Sequence, residues 1–274
     1  MNRIENVFSK GKAFIPFITA GDPSIELTER LVYELANAGA DLIELGIPFS
    51  DPVAEGAVIQ AADNRALSSG TTTDKIFDMV KRIRETCDVP IAFMTYVNPV
   101  FSYGTERFIC RSREVGVDAI IVPDLPYEER EEIKPYCKEH EITYISMIAP
   151  TSKERISTIT NEAEGFIYCV SSLGVTGVRQ DIGDASADMI KSVKAVKDIP
   201  CAIGFGISTP DQARAMAKIS DGVIVGSAIV RIIERYGKEC IAPVMEYVGT
   251  MLKAITFSVP GTKQFSNNCN NLHG

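Results

Sequence analysis

Histidine is scarce in this sequence of 274 residues, since only His140 and His273 occur. A histidine-rich metal centre or a Ser/His/Asp triad therefore has little to be built from. The seven cysteines are scattered and contain no CxxC pair, so they indicate neither a zinc site nor a disulfide framework. We expect no metal in this chain, and a reducing cytoplasm fits the cysteine usage best.

Basic residues are also outnumbered, with 28 Lys and Arg against 36 Asp and Glu and a net charge of -8. Such a charge repels phosphodiester backbones and anionic membrane surfaces, so neither nucleic acid nor membrane is an expected partner. No apolar run of about 18 residues occurs, and the N-terminal residues mix charges without a long apolar core. The sequence therefore predicts a soluble, cytoplasmic protein that is not exported.

Eight short apolar runs, rich in β-branched residues, recur along the chain and alternate with segments of helical spacing. Runs of this composition are typical of parallel strands that are buried on both faces. They are AFIPFITA (13–20), ADLIELGIP (40–48), PIAFMTY (90–96), DAIIVPDL (118–125), ITYISMIAP (142–150), GFIYCVS (165–171), PCAIGFG (200–206) and DGVIVGS (221–227).

This alternation predicts an α/β fold in which crossover helices join parallel strands. Eight such units favour a closed (β/α)8 TIM barrel, and no G-x-G-x-x-G follows the first run to indicate a dinucleotide fold. We predict one barrel domain over residues 1–255, with an extra N-terminal helix formed by MNRIENVFSKGK. Residues 256–274 are rich in Asn and Ser without periodicity, which predicts a disordered polar tail.

Glycines at the ends of the last strands predict a phosphate site. Barrel enzymes often hold phosphate in the loops after strands 7 and 8. Here strand 7 ends in GFGIS (204–208), and Gly226 and Ser227 lead from strand 8 into a helix, whose first N–H groups bind anions without a cation. Another glycine-containing loop, SSLGVTG, follows strand 6. A phosphorylated small molecule is the expected substrate.

Carboxylates are the remaining candidates for catalytic groups at the barrel mouth. None of the eight runs ends in the lysine that a Schiff-base aldolase needs, and no histidine lies there for a metal-dependent one. Glu44 alternates with Leu42 and Gly46 along one strand face, and an inward position would raise its pKa and suit it to proton transfer. A structurally paired glutamate is the alternative. For Asp51 and Glu55, in the following loop, a turn role and a chemical role both stay open.

Several motifs together resemble the tryptophan synthase alpha chain family. They are FITAGDP, ELGIPFSDP, VPDLPYEE, the S-x-x-GVTG loop, GFGIS and VGSAIV, and the resemblance runs from about Asn6 to Ile255. It implies a lyase of tryptophan biosynthesis that splits indole-3-glycerol phosphate into indole and glyceraldehyde 3-phosphate. The implied reaction is a retro-aldol cleavage without a metal or an organic cofactor.

The resemblance also implies roles for individual residues. Glu44 would protonate indole C3 and assist loss of the glycerol hydroxyl proton, while Glu55 would accept a hydrogen bond from the indole N–H. Asp51 would place the loop and contact a beta chain. The implied substrate-binding residues are Phe17, Tyr168, Thr176, Gly177, Gly206, Gly226 and Ser227. The implied apolar slot for the indole ring comprises Phe17, Met94, Ile121, Ile148, Phe205 and Ile224.

One departure from the family pattern concerns the loop acid. That acid is often an aspartate followed by Gly-Pro, whereas Glu55 is followed here by Gly56 and Ala57. A carboxylate displaced by about 1 Å costs about 100-fold in rate unless the backbone compensates, and our hypothesis is that it does.

The resemblance further implies a partner, a beta chain that carries pyridoxal phosphate, in an alpha2beta2 heterotetramer. Two alternative functions stay open at this point. One is a phosphate-binding barrel with a different reaction, and the other is a non-catalytic or weakly active barrel that activates a partner subunit.

Overall fold

Parallel strands form a barrel with helices around it in the computed structural model, which describes residues 3–171 and 179–256 and leaves undescribed the side chains of 153 and 179–184. The strand order is β5-β4-β3-β2-β1-β9-β8-β7-β6, and every strand pairing is parallel. The strands are β1 (Ala13–Thr19), β2 (Ile43–Gly46), β3 (Ile91–Met94), β4 (Ala119–Ile121), β5 (Thr143–Tyr144), β6 (Ser146–Ile148), β7 (Ile167–Val170), β8 (Cys201–Gly204) and β9 (Gly222–Val225). The predicted barrel is confirmed.

The fifth predicted strand is divided in two, which explains the ninth strand. Only Ile145 separates β5, which pairs with β4, from β6, which pairs with β7. The amide of Ile145 still donates to the carbonyl of Ile120 at 2.9 Å. The two edges of the sheet are therefore consecutive in the chain, and the barrel is nearly closed.

Helices follow the strands, as the alternation predicted. They are α1 (Ile25–Ala38), α2 (Ala57–Ser68), α3 (Thr73–Ile83), α4 (Val97–Tyr103), α5 (Thr105–Val115), α6 (Lys134–Glu139), α7 (Ile156–Asn161), α8 (Arg179–Val196), α9 (Pro210–Ile219), α10 (Ser227–Tyr236) and α11 (Ile241–Thr256). Within the described ranges, none is long and apolar enough to cross a membrane. The predicted N-terminal helix is a short 3-10 helix, Arg3–Asn6. The division into a domain over 1–255 and a tail stays a prediction, because residues 257–274 lie outside the described part.

Two hydrophobic clusters fill the fold, one inside the barrel and one between the strands and the helices. Leu42 belongs to the inner cluster, whereas Ile43 and Leu45 belong to the outer one. Because side chains alternate along a strand, Glu44 shares the inward face with Leu42. The inward position that would raise the pKa of Glu44 is therefore the one that the structure shows.

Three aspartates at the N-terminal end of the barrel, here called the floor, make the same kind of hydrogen bond. Asp41, Asp118 and Asp221 each precede a strand and accept a hydrogen bond at 2.9 Å from the backbone N–H of the neighbouring strand, at Phe14, Ile91 and Cys201 respectively. Backbone donors at strand ends lack ladder partners, and these carboxylates satisfy them. The floor is thus fixed by paired acids.

Candidate active site

A cavity of about 440 Å³ opens at the C-terminal ends of the strands. It brings together seven predicted site residues, namely Phe17, Glu44, Glu55, Tyr168, Gly206, Gly226 and Ser227. The other two, Thr176 and Gly177, lie outside the described residues. Among the residues described, no three His, Cys, Asp or Glu side chains lie together as a metal site.

Glu44 lines the cavity as a buried acid without a hydrogen-bond partner among the described residues. It lies on β2 beside Phe17 of β1 and Ala92 of β3 in the strand registers, and its side chain has no exposed surface. Neither carboxyl oxygen has a hydrogen-bond partner among the described residues. Burial raises its pKa to about 8, because the ionised form has lost its water. Glu44 is therefore protonated at neutral pH and able both to give and to take a proton.

Tyr168 lies next to this acid, in space that a glycine leaves open. A Cβ atom on Gly204 would come within 2.3 Å of the Tyr168 hydroxyl oxygen, so only glycine leaves room for the ring. Burial, and then the charges of Glu44 and Glu55, raise the pKa of Tyr168. Its hydroxyl group is thus a neutral donor facing two acids. The rings of Tyr168 and Phe205 make an edge contact with centroids 6.1 Å apart.

Phe17 forms an apolar wall of the cavity. A Cβ atom on Gly46 would come within 2.6 Å of the Phe17 ring, and one on Gly226 within 3.2 Å, so two glycines make space for this ring. Met94, Phe205 and Ile224 also line the cavity, as predicted for the indole slot.

Two residues predicted for this slot lie elsewhere. Ile121 belongs to the inner cluster below the cavity lining, and Ile148 packs in the outer cluster against the helices. The placement of Ile148 was wrong because Ile145 and Met147 face inward, and alternation then turns Ile148 outward.

The opposite end of the cavity has the features of an anion site. The first intrahelical hydrogen bonds of α10 run from Ile229 and Val230 to the Gly226 carbonyl, at 2.8 and 3.1 Å. The N–H groups of Ser227 and Ala228 precede them and point out of the helix end, where the dipole favours a negative charge. Gly206 adopts a φ of 72° in the adjoining loop, a conformation that glycine reaches without strain.

Phe205, beside that glycine, also has a φ of 72°. A bulky residue in this region stores strain, and such strain is concentrated at ligand sites.

Arg231 also lines the cavity but was not predicted from the sequence, and it lies one helical turn after Ser227. Its spacing of four residues from Ser227 was the signal that could have found it.

Glu55 reaches the cavity from the loop between β2 and α2. The loop is anchored by Tyr96, whose hydroxyl oxygen accepts a hydrogen bond at 2.9 Å from the Ala54 N–H. Gln60 donates to the Glu55 carbonyl at 2.8 Å. Burial raises the pKa of Glu55, and its carboxyl group contacts that of Asp63. Asp51 in the same loop is exposed and accepts a hydrogen bond from the Ser50 hydroxyl, away from the cavity.

Asp63 was not anticipated from the sequence. It lies on the buried face of α2 with Ile59, Ala62 and Ala66, a spacing that is visible in the sequence. An acid on the apolar face of a helix is the signal that would have found it, because a buried acid needs a partner.

The sequence profile of the tryptophan synthase alpha chain family matches residues 5–256. The chain belongs to this family. A tryptophan synthase alpha chain from Lacticaseibacillus casei is 46% identical over 266 residues, which cover 97% of this chain and 98% of that one. Membership confirms the predicted family and makes the protein a lyase acting on indole-3-glycerol phosphate in tryptophan biosynthesis.

Solved structures of the same family have the same barrel. The tryptophan synthase alpha subunit of Legionella pneumophila str. Paris has a TM-score of 0.85 and 38% identity, covering 93% of this chain and 98% of that one. A chain from a tryptophan synthase complex of Pyrococcus furiosus has a TM-score of 0.80 and 34% identity, covering 89% and 98%.

Proposed function

We propose that this chain cleaves indole-3-glycerol phosphate to indole and glyceraldehyde 3-phosphate by a retro-aldol reaction in which Glu44 is both acid and base. The observation that supports this proposal is that the Glu44 carboxyl group is fully buried and has no hydrogen-bond partner among the described residues. It lies in a cavity that ends at the N-terminus of α10. A buried acid without a structural partner costs stability, and such groups are concentrated at active sites.

In the proposed reaction Glu44 transfers its proton to indole C3. The resulting carboxylate then accepts the proton of the adjacent glycerol hydroxyl group while the carbon–carbon bond breaks. Indole and an aldehyde leave, and Glu44 is protonated again. A pKa of about 8 supports this double role, because both forms of the acid are accessible near neutral pH. The scheme uses side chains of this chain alone and calls for no metal or organic cofactor.

Glu55 stabilises the intermediate in this proposal. Protonation at C3 leaves positive charge on the indole nitrogen, and a carboxylate that accepts the N–H hydrogen bond stabilises that charge in a water-poor site. One oxygen of Glu55, Oε2, is buried without a partner among the described residues, so it is available for this hydrogen bond.

The remaining predicted residues bind the substrate. Phe17, Phe205 and Tyr168 would hold the ring, while Gly206, Gly226 and Ser227 would hold the phosphate through backbone N–H groups and the hydroxyl group. Thr176 and Gly177 keep the binding roles that the family resemblance implies.

We further propose an alpha2beta2 assembly with a beta chain that carries the pyridoxal phosphate, and a cytoplasmic location. Val53 is 82% exposed in the mouth loop, next to the exposed Asp51. Asp51, for which the family resemblance implies contact with a beta chain, is thus accessible to a partner together with Val53.

Measuring indole release from indole-3-glycerol phosphate, with and without an added tryptophan synthase beta chain, tests the proposal. We expect release by the isolated chain and a higher rate with the partner. Absence of indole under both conditions would overturn the reaction. An unchanged rate with no co-elution of the two chains on gel filtration would overturn the partnership alone.

A further inference from the structure

The carboxyl groups of Glu55 and Asp63 meet at the edge of the cavity. Asp63 is 3% exposed on α2, whereas Glu55 comes from the end of the loop between β2 and α2. The backbone of Phe49, at the start of the same loop, lowers the pKa of Asp63. A buried side chain of α2 therefore contacts the second predicted catalytic acid.

Two carboxyl groups in contact in a buried site hold a proton between them, because two adjacent negative charges are too costly there. Burial, followed by the charge and the hydrogen bond of Glu55, raises the pKa of Asp63 to about 8. The hydrogen bond from Asp63 acts in the opposite direction on Glu55 and favours its ionised form. The pair therefore holds one proton, which the two carboxyl groups share.

Other ionisable groups surround this pair. Asp22 raises the pKa of Asp63 further, although its own carboxylate is held by Arg65 at 2.8 Å, and Arg65 also contacts Glu234 at 3.0 Å. Tyr96, whose pKa is raised by burial and then by Glu55, stays neutral. The cavity adds three further groups, which are Glu44, Tyr168 and Arg231.

We propose that Asp63 is a positioning residue for Glu55, sharing one proton with the Glu55 carboxyl group and so fixing that group at the cavity. This inference rests on the role proposed above for Glu55. It answers how a glutamate followed by Gly56 and Ala57 is held, since the support comes from α2 and not from a proline in the loop.

Two variants of the full chain separate the shared proton from simple packing. In Asp63→Asn the amide keeps the contact, with its NH2 group donating to Glu55, so kcat at neutral pH stays close to that of the wild type. In Asp63→Ala the loop acid loses its support, and we expect kcat to fall by about 10- to 100-fold. Asp198→Asn, at an exposed position before β8, is the matched control that leaves activity unchanged.

The pH profile of indole release gives a readout that packing alone does not move. Above pH 8 the wild type loses the proton of Glu44 and the proton of the pair, so log kcat/KM falls with the loss of two protons. In Asp63→Asn only Glu44 loses a proton in this pH range. The alkaline limb of the profile therefore falls with the loss of one proton. Identical alkaline limbs in the two proteins would overturn the proposal.

Infrared spectroscopy at neutral pH tests the shared proton without turnover. We expect the absorption of protonated carboxylic acids to be weaker in Asp63→Asn than in the wild type and the Asp198→Asn control. Equal absorption in all three proteins would refute the shared proton even if indole release is confirmed. Conversely, a wild type that shows the shared proton but releases no indole would refute the proposed reaction and leave the carboxyl pair in place.

Discussion

Asp118, a buried acid at the floor of the barrel, and Glu44, a buried acid at its mouth, have opposite surroundings. At the floor, Asp118 is 2% exposed and binds Arg84 at 2.9 Å, Arg3 at 3.1 Å and the Ile91 N–H at 2.9 Å. At the mouth, Glu44 has no partner among the described residues. The same chemical group is therefore satisfied at one end of the strands and left without a partner at the other.

This difference indicates that the acid at the floor serves stability and the acid at the mouth serves catalysis. A buried carboxylate that is paired stays ionised and fixes backbone groups, whereas an unpaired one takes up a proton and becomes a titrating acid. The floor thus uses acids to hold strands in register, and the cavity uses them to move protons.

The substitution Glu44→Gln should have the largest effect on activity. The amide keeps the size of the side chain but neither gives nor takes the proton, so we expect kcat for indole release to fall by about 10²- to 10⁴-fold. Steady-state assays with substrate binding measured by calorimetry check this, and affinity should stay nearly unchanged. The exposed Glu139→Gln is the control. Wild-type turnover in Glu44→Gln would remove this residue from the proton-transfer step.

Most of this contrast, but not all of it, could be predicted from the sequence. Periodicity predicted the barrel and grouped Glu44 with Leu42 on one strand face, because a period of two assigns each strand residue to one side, but it did not say which face points inward. It failed at Ile148, because the interruption of strand 5 at Ile145 is not visible as a change in composition. It also missed Asp63, because the contact between α2 and the loop is a tertiary feature, although the apolar neighbours of Asp63 marked it as buried.

At the floor, Asp118→Ala should cost stability without costing catalysis. Removing one partner leaves the guanidinium group of Arg84, which is only 10% exposed, without its charge partner, and we expect a loss of about 3 to 5 kcal/mol in the free energy of unfolding. Urea denaturation measures this loss. Asp88→Ala removes an 85% exposed partner of Arg3 and should change stability by less than about 1 kcal/mol. A large fall in kcat of folded Asp118→Ala would break the separation of floor and mouth.

The pH dependence of stability should show the cost of the unpaired acid. Because the pKa of Glu44 is raised from 4.5 to about 8 on folding, the folded state keeps a proton that the unfolded state releases in this range. Its contribution to stability is therefore fully present below pH 4.5 and declines by up to about 1.4 kcal/mol per pH unit until pH 8. Urea titrations of the wild type and Glu44→Gln across this range give the difference. A constant difference from pH 4.5 to pH 8 would contradict the buried, protonated state.

The smallest expected effect concerns the start of α2, where the mouth loop meets its helix. Ala57 is the first residue of α2 and is exposed, and Gly56 before it is extended, with φ of -78° and ψ of 166°. Both conformations accept a proline at 57, which would reduce the freedom of the unfolded chain. Ala57→Pro should therefore raise the free energy of unfolding by about 0.4 to 1 kcal/mol, as measured by urea denaturation. If Asp63 holds Glu55 from α2, kcat should change little in this variant. A large gain in kcat would mean instead that loop order limits Glu55, and that the mouth acid lacks the fixed support that the floor acids have.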